Sequence, residues 1–136
     1  MKRKAFLYRK SEDGKRAFYL DEQMAEGLIG FLKADRKRAK KFAYSLDVIL
    51  AGHTTRDIYE QENIEKGCEQ VYAIKMFKRG QNTRIYCQQF YHDDTEALVI
   101  VAAELLPKKK SQKLTQKEKS IIRRVAGFTY QLTDDE

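Results

Sequence analysis

The sequence predicts an α+β protein, in which a small antiparallel sheet carries two helices on one face and a further helix follows the sheet. Three apolar runs of strand length, residues 69–77, 83–91 and 97–106, succeed one another with links too short for helices. Short links force neighbouring antiparallel strands, so these runs predict a three-stranded meander. We expect a single domain over residues 1–136, because this length suits one core.

The first 20 residues predict an additional N-terminal strand or hairpin. Residues 4–9 alternate weakly, residues 11–14 are a turn signal, and residues 16–20 could form the second arm. A short helix follows, for which Asp21 is the expected N-cap. Its apolar face is formed by three residues at helical spacing, Met24, Leu28 and Phe31.

A second helix is predicted over residues 35–50, with Asp35 as its N-cap and Gly52 after its end. Its apolar stripe consists of Ala39, Phe42, Leu46, Ile49 and Leu50. Five basic residues cover its opening turns: Arg36, Lys37, Arg38, Lys40 and Lys41. Positive charge at a helix N-terminus opposes the macrodipole. These cations are therefore expected either to bind a partner or to form a solvated face of the helix.

A polar connector, residues 54–67, precedes the meander, and a basic loop, residues 107–114, follows it. Thr115 and Glu118 have capping-box spacing, which predicts the start of the last helix. Its apolar face is Ile121, Ile122, Val125 and Phe128. The acidic tail, residues 133–136, is expected to fray.

Composition narrows the classes of function. The net charge of +7 and the pI of about 9.4 favour nucleic acid, an anionic membrane or an acidic protein as partner. No apolar run approaches the ~18 residues of a membrane span, so we expect a cytoplasmic protein without a membrane partner. Cys68 and Cys87 are expected to be reduced. Zinc spacing, a phosphate-binding glycine loop and a serine elbow are all missing, so no metal or cofactor is implied.

Strand alternation predicts which residues occupy the sheet face without helices, here called the open face. Arg84, Tyr86 and Gln88 alternate with the more apolar Ile85 and Cys87, so Arg84 and Tyr86 are expected to face solvent. Lys75 on the preceding strand would join Arg84 there, and the basic loop would lie at the rim. Cations around an aromatic ring suit RNA. The alternative is that Arg84 and Lys75 pair with acids and the lysines are only solvated.

Lys, Arg, Tyr and His side chains are sufficient to cleave RNA without a metal. The 2′-hydroxyl attacks the adjacent phosphate, a base removes its proton, cations stabilise the developing charge, and an acid protonates the leaving oxygen.

Three segments, residues 71–75, 82–86 and 109–113, resemble in order and spacing the RelE/HigB superfamily of toxins from type II toxin–antitoxin systems. The similarity is greatest to the phage-derived HigB-like branch and spans residues 20–128. It implies a RelE-like sheet with helices on one side, cleavage of mRNA that is commonly bound to the ribosome, and a cognate antitoxin as partner. This sequence has Leu106-Pro107 where the family often has Phe.

The resemblance also implies residue roles. Arg84 would stabilise the phosphate and Lys75 would assist it. Lys109, Lys110 and Lys113 would bind RNA backbone or take part in proton transfer. Beside these three, we also predict that Lys108, Lys78 and Arg79 bind RNA. The proton-transfer residue is not determined by the resemblance, and Tyr86, His92 and Tyr130 are candidates.

Three functional hypotheses follow. The first is an mRNA endoribonuclease toxin that inhibits translation and is neutralised by an antitoxin. The second is a non-catalytic toxin that resembles ParE and binds a protein such as DNA gyrase. The third is a basic nucleic-acid-binding module.

Overall fold

The computed structural model describes residues 2–53, 56–77, 82–108 and 114–134. These residues form a mixed seven-stranded sheet and three helices, which confirms the α+β class. The strands are β1 (Lys2–Lys10), β2 (Arg16–Asp21), β3 (Tyr59–Gln61), β4 (Val71–Lys75), β5 (Arg84–Tyr91), β6 (Leu98–Leu106) and β7 (Thr129–Thr133). The helices are α1 (Glu22–Lys33), α2 (Arg36–Leu50) and α3 (Gln116–Ala126). The strand order is β3-β4-β5-β6-β2-β1-β7.

The predicted meander and hairpin are both present, but they belong to one larger sheet. Strands β4, β5 and β6 are antiparallel neighbours, and β1 pairs antiparallel with β2. The hairpin joins the meander through a parallel pairing of β2 with β6, and β7 adds parallel to β1. The prediction of a small antiparallel sheet was therefore too narrow. The parallel pairs join strands that are distant in sequence, so no local signal indicates them.

Helices α1 and α2 cover one face of the sheet, as predicted. Their buried residues, among them Leu28, Phe42 and Leu46, form one cluster with Ile85 and Cys87 of β5. Both helices begin at the predicted caps, because the side chains of Asp21 and Asp35 accept hydrogen bonds from the amides two residues further on. Apolar burial on this side of the sheet is the main stabilising contribution.

The opposite face is not open, which corrects the prediction. Helix α3 packs on it, and its residues Ile121, Ile122 and Val125 form a second cluster with Val71 and Tyr86 of the sheet. The amphipathic face of α3 has to be buried somewhere, and the small residues of this sheet face allow the helix to lie close. The alternation of β5 was predicted correctly, but of the residues predicted to face solvent, Tyr86 packs against α3 and Arg84 is almost buried.

The two cysteines lie in different clusters on opposite faces of the sheet. Cys87 is fully buried beneath α1 and α2, and Cys68 is buried on the α3 side. Both are free thiols. None of the helices in the described ranges is long and apolar enough to cross a membrane.

Regular structure extends further towards the C-terminus than predicted, into the acidic tail. Thr133 is the last residue of β7, and Asp134 accepts a hydrogen bond of 2.9 Å from the Tyr19 hydroxyl. Residues 135–136 lie outside the described residues.

Helix α3 begins with the predicted capping box, which makes its start testable. The Thr115 hydroxyl accepts from the Glu118 amide, and the Glu118 carboxylate accepts in return from the Thr115 amide. We expect Thr115→Ala to lower the free energy of unfolding by about 1 kcal/mol, measured by urea denaturation. Ser120→Ala removes an exposed hydroxyl from the same helix and should change it by less than about 0.5 kcal/mol. Equal effects of the two changes would show that the cap contributes nothing.

Candidate functional site

The candidate site lies where β4 ends and β5 begins. Lys75 and Arg84 are directly paired across these strands, as predicted. On its other side Arg84 pairs with the last residue of β6, so the chain leaves the sheet at Lys108, which is exposed. The Thr83 hydroxyl donates to the Pro107 carbonyl at 2.8 Å and fixes this exit. The structure therefore brings three predicted site cations to one end of the sheet.

Arg84 is almost buried rather than solvent-facing, since only 9% of its surface is exposed. Its Nη1 donates to the Thr83 carbonyl at 3.3 Å. Within the described part of the chain, no carboxylate lies within ion-pair distance of this guanidinium. Arg3, by contrast, donates to the carboxylate of Asp21. Burying a charge without a counter-charge is costly, so Arg84 is a site where an anion would be stabilised.

For Lys75 the structure agrees with the alternative prediction, in which the cation forms an ion pair with an acidic residue. Its ammonium donates to the Oε1 atom of Glu60, on the neighbouring strand β3, at 2.5 Å. Both side chains are partly exposed. Lys75 is therefore held beside Arg84 with its charge already compensated, whereas Arg84 has no ion-pair partner in the part of the chain that the structure describes.

Tyr86 lies in the core and is not a surface ring. Only 1% of it is exposed, and its hydroxyl donates to Glu118 Oε1 at 3.2 Å. Burial, together with the charges of Glu118 and Glu62, raises the pKa of the Tyr86 hydroxyl far above its ordinary value. The phenol therefore keeps its proton at neutral pH, so it cannot act as a base. The ring is also inaccessible for stacking with an RNA nucleobase. The prediction of Tyr86 as an exposed ring at the RNA site is therefore wrong.

His92 is not near Arg84, although both were predicted to act at one site. His92 lies eight positions after Arg84, which corresponds to about 27 Å of extended strand. The Nδ1 atom of His92 accepts hydrogen bonds from the amides of Asp94 and Thr95, at 3.1 and 3.3 Å. His92 thus stabilises the turn between β5 and β6 at the far end of the sheet.

Tyr130 is also engaged elsewhere. It lies in β7, and its hydroxyl donates to Asp21 Oδ2 at 2.7 Å. Burial raises the pKa of this hydroxyl as well. Tyr130 was a candidate for proton transfer, but it belongs to a strand that pairs with β1.

The remaining predicted RNA-binding cations, Lys78, Arg79, Lys109, Lys110 and Lys113, lie outside the described residues. Both segments to which they belong adjoin the end of the sheet that holds Arg84. One links β4 to β5, and the other links β6 to α3.

Glu118 is the site residue that the sequence prediction missed. The capping-box pattern accounted fully for its presence, so nothing suggested a second role. Its contact with Tyr86 arises because α3 docks on the sheet. The carboxylate is buried and receives hydrogen bonds from both Thr115 and Tyr86. It thereby connects the start of α3 to the residue two positions beyond Arg84.

The site is thus a nearly buried guanidinium for which the described residues provide no ion-pair partner, flanked by a paired lysine and a protonated tyrosine. It can hold an anion with fixed geometry.

Among the described residues, His, Cys, Asp and Glu side chains do not gather in any group of three or more that could hold a metal ion. Comparison of the chain with protein-family models, with curated proteins and with solved structures gave no match.

Proposed function

We propose that the protein is an mRNA endoribonuclease that inhibits translation on the ribosome, the toxin of a toxin–antitoxin pair. The observation that supports this most directly is Arg84, whose nearly buried guanidinium has no carboxylate partner in the described residues. A phosphate would supply the missing negative charge, and a guanidinium can donate to two of its oxygens at once. We place the activity in the cytoplasm, where ribosomes and mRNA occur.

The proposed reaction is an internal transfer within the RNA chain. The 2′-oxygen forms a bond to the adjacent phosphorus while the bond from phosphorus to the 5′-oxygen breaks. Arg84 stabilises the charge on the non-bridging oxygens in the transition state. One proton leaves the 2′-hydroxyl and one is added to the 5′-oxygen. Because Tyr86 is buried and its hydroxyl is bonded to Glu118, we assign proton transfer to the basic loop, at Lys109, Lys110 and Lys113.

A second candidate is a basic module that binds RNA without cleaving it. Tyr86, His92 and Tyr130 were the candidates for proton transfer, and each is buried or engaged away from Arg84. Binding requires only cations, and the net charge of +7 provides them. A non-catalytic toxin that binds a protein would not need a phosphate site, so Arg84 favours the nuclease over that alternative.

An in vitro translation reaction with primer extension on the mRNA distinguishes these functions. The nuclease predicts inhibited translation and new mRNA ends within codons. A binding module predicts RNA binding with intact mRNA, and a toxin directed at gyrase predicts normal translation. In cells, expression should arrest growth, and co-expression of the neighbouring antitoxin gene should relieve the arrest. Harmless overexpression would argue against any toxin.

His92 provides a further prediction. We expect His92→Ala to change the cleavage rate by less than about twofold, because His92 stabilises a turn about 27 Å from Arg84. The rate is measured by primer extension with saturating ribosomes. A hundredfold loss of activity in a folded variant would mean that His92 reaches the reacting phosphate and that the site is placed at the wrong end of β5.

A further inference from the structure

A groove lies between α1, α2 and β1, on the sheet face opposite Arg84. It encloses about 430 Å³. Its floor is apolar and formed by Leu32, Phe42 and Leu46, which belong to the core. The walls and rim are formed by Tyr8, Arg9, Ile29, Lys33, Ala39 and Ala43. Tyr8 is 44% exposed, although its ring also contacts Phe42 with a centroid distance of 5.9 Å.

The opening turns of α2, beside this groove, carry a cluster of positive charge. The five cations between Arg36 and Lys41 make no ion pair with any carboxylate in the described ranges of the chain. Two of them lie over aromatic rings instead, Arg38 over Phe31 at 3.9 Å and Lys41 over Tyr44 at 5.5 Å. The positive end of the helix macrodipole adds to their field. This cluster opposes helix stability, and the proposed RNA site does not use it.

We infer that the groove binds an acidic amphipathic helix of a partner protein. The apolar side of such a helix would place side chains at i, i+3, i+4 and i+7 into the groove, as helix-in-groove complexes do. Its acidic side would face Lys33 and the α2 cations, whereas Arg9 at the rim is already paired with Asp47. One occupant thus explains both the apolar floor and the uncompensated charge. RNA would satisfy the cations but would place its phosphates and sugars over the apolar floor.

This inference does not depend on the proposed function. Arg84 lies on the α3 side of the sheet and the groove on the α1 and α2 side. The partner helix and an RNA can therefore bind at the same time. Loss of RNA cleavage would leave helix binding intact, and loss of helix binding would leave cleavage intact.

The test uses a panel of fluorescent peptides of about 20 residues, each an amphipathic helix with leucines at groove spacing and glutamates elsewhere. Binding to the full chain is measured by fluorescence anisotropy, and the site is mapped by amide chemical shifts. The variant Ala43→Arg fills the groove with a residue that favours helix formation. The matched control Ala51→Arg adds the same side chain at the exposed end of α2, outside the groove. Scrambled peptides of the same composition and a single-stranded RNA complete the set.

We expect at least one amphipathic peptide to bind and to shift the amides around Tyr8 and Ala43. Ala43→Arg should weaken this binding about tenfold or more. Ala51→Arg should change it by less than about twofold, and the scrambled peptide should not compete. The inference is wrong if no peptide shifts those amides, if Ala43→Arg binds as tightly as the wild type, or if the RNA displaces the peptide from them.

Discussion

Arg84→Met is expected to reduce the rate of mRNA cleavage by about 10²–10³-fold while the protein remains folded. Methionine keeps most of the length of the arginine stem, so the packing around the buried stem persists while the guanidinium is lost. The sequence placed Arg84 in solvent, where truncation to alanine would cost the fold almost nothing. Its burial makes methionine the cleaner replacement, because alanine would leave a cavity.

Two further variants show whether the effect belongs to the guanidinium. Arg84→Lys keeps the charge but loses the paired donors, so it should restore only part of the rate. Lys108→Met removes an exposed cation at the same end of the sheet and should mainly weaken RNA binding in a salt-dependent way. Rates are measured by primer extension after the thermal unfolding midpoint of each variant has been checked. A folded Arg84→Met protein that cleaves at the wild-type rate would show that Arg84 is not the phosphate-binding residue.

The largest loss of stability is expected from Asp21→Ala, about 3–5 kcal/mol. Asp21 is fully buried and N-caps α1 through the Gln23 amide at 2.8 Å. Its carboxylate also accepts from Arg3 Nε at 2.6 Å and from the Tyr130 hydroxyl at 2.7 Å. One side chain thus links β1, α1 and β7. Removing it leaves a half-buried cation and a buried hydroxyl without their acceptor, which costs more than a lost cap.

Asp35→Ala is the matched control, because Asp35 caps α2 in the same way but has only exposed neighbours. Its loss should cost about 1 kcal/mol. The difference between the two variants in urea denaturation isolates the contribution of the buried network. If Asp21→Ala cost no more than Asp35→Ala, the contacts of Asp21 with Arg3 and Tyr130 would contribute nothing to stability.

Local signals in the sequence predicted the local structure well. The caps at Asp21, Asp35 and Thr115 were identified because the capping interaction spans only a few residues. The period of two along β5 separated Ile85 and Cys87 from Tyr86, and the structure places these sets in different clusters. The short connections of the meander likewise left little choice of neighbour.

Long-range packing could not be predicted in the same way. Alternation shows which side of a strand a residue occupies, but its exposure depends on what packs against that side. Here the covering element is α3, which follows 25 or more residues later in the chain, so no local signal indicates it. For this reason Arg84 and Tyr86 were placed in solvent. Strands β3 and β7 were missed because β3 has three residues and β7 pairs with the opposite end of the chain. His92 was grouped with Arg84 by residue type, although the length of β5 separates them.

The chemical identity of the new mRNA ends tests the central claim most directly. Attack by the 2′-oxygen leaves a 2′,3′-cyclic phosphate on the upstream fragment and a 5′-hydroxyl on the downstream fragment. We predict these ends by mass spectrometry after incubation of mRNA and ribosomes with the wild-type protein, and about 10²–10³-fold slower formation of the same ends with Arg84→Met. Ends with a 3′-hydroxyl and a 5′-phosphate, or mRNA that the wild type leaves intact on translating ribosomes, would contradict the proposed nuclease.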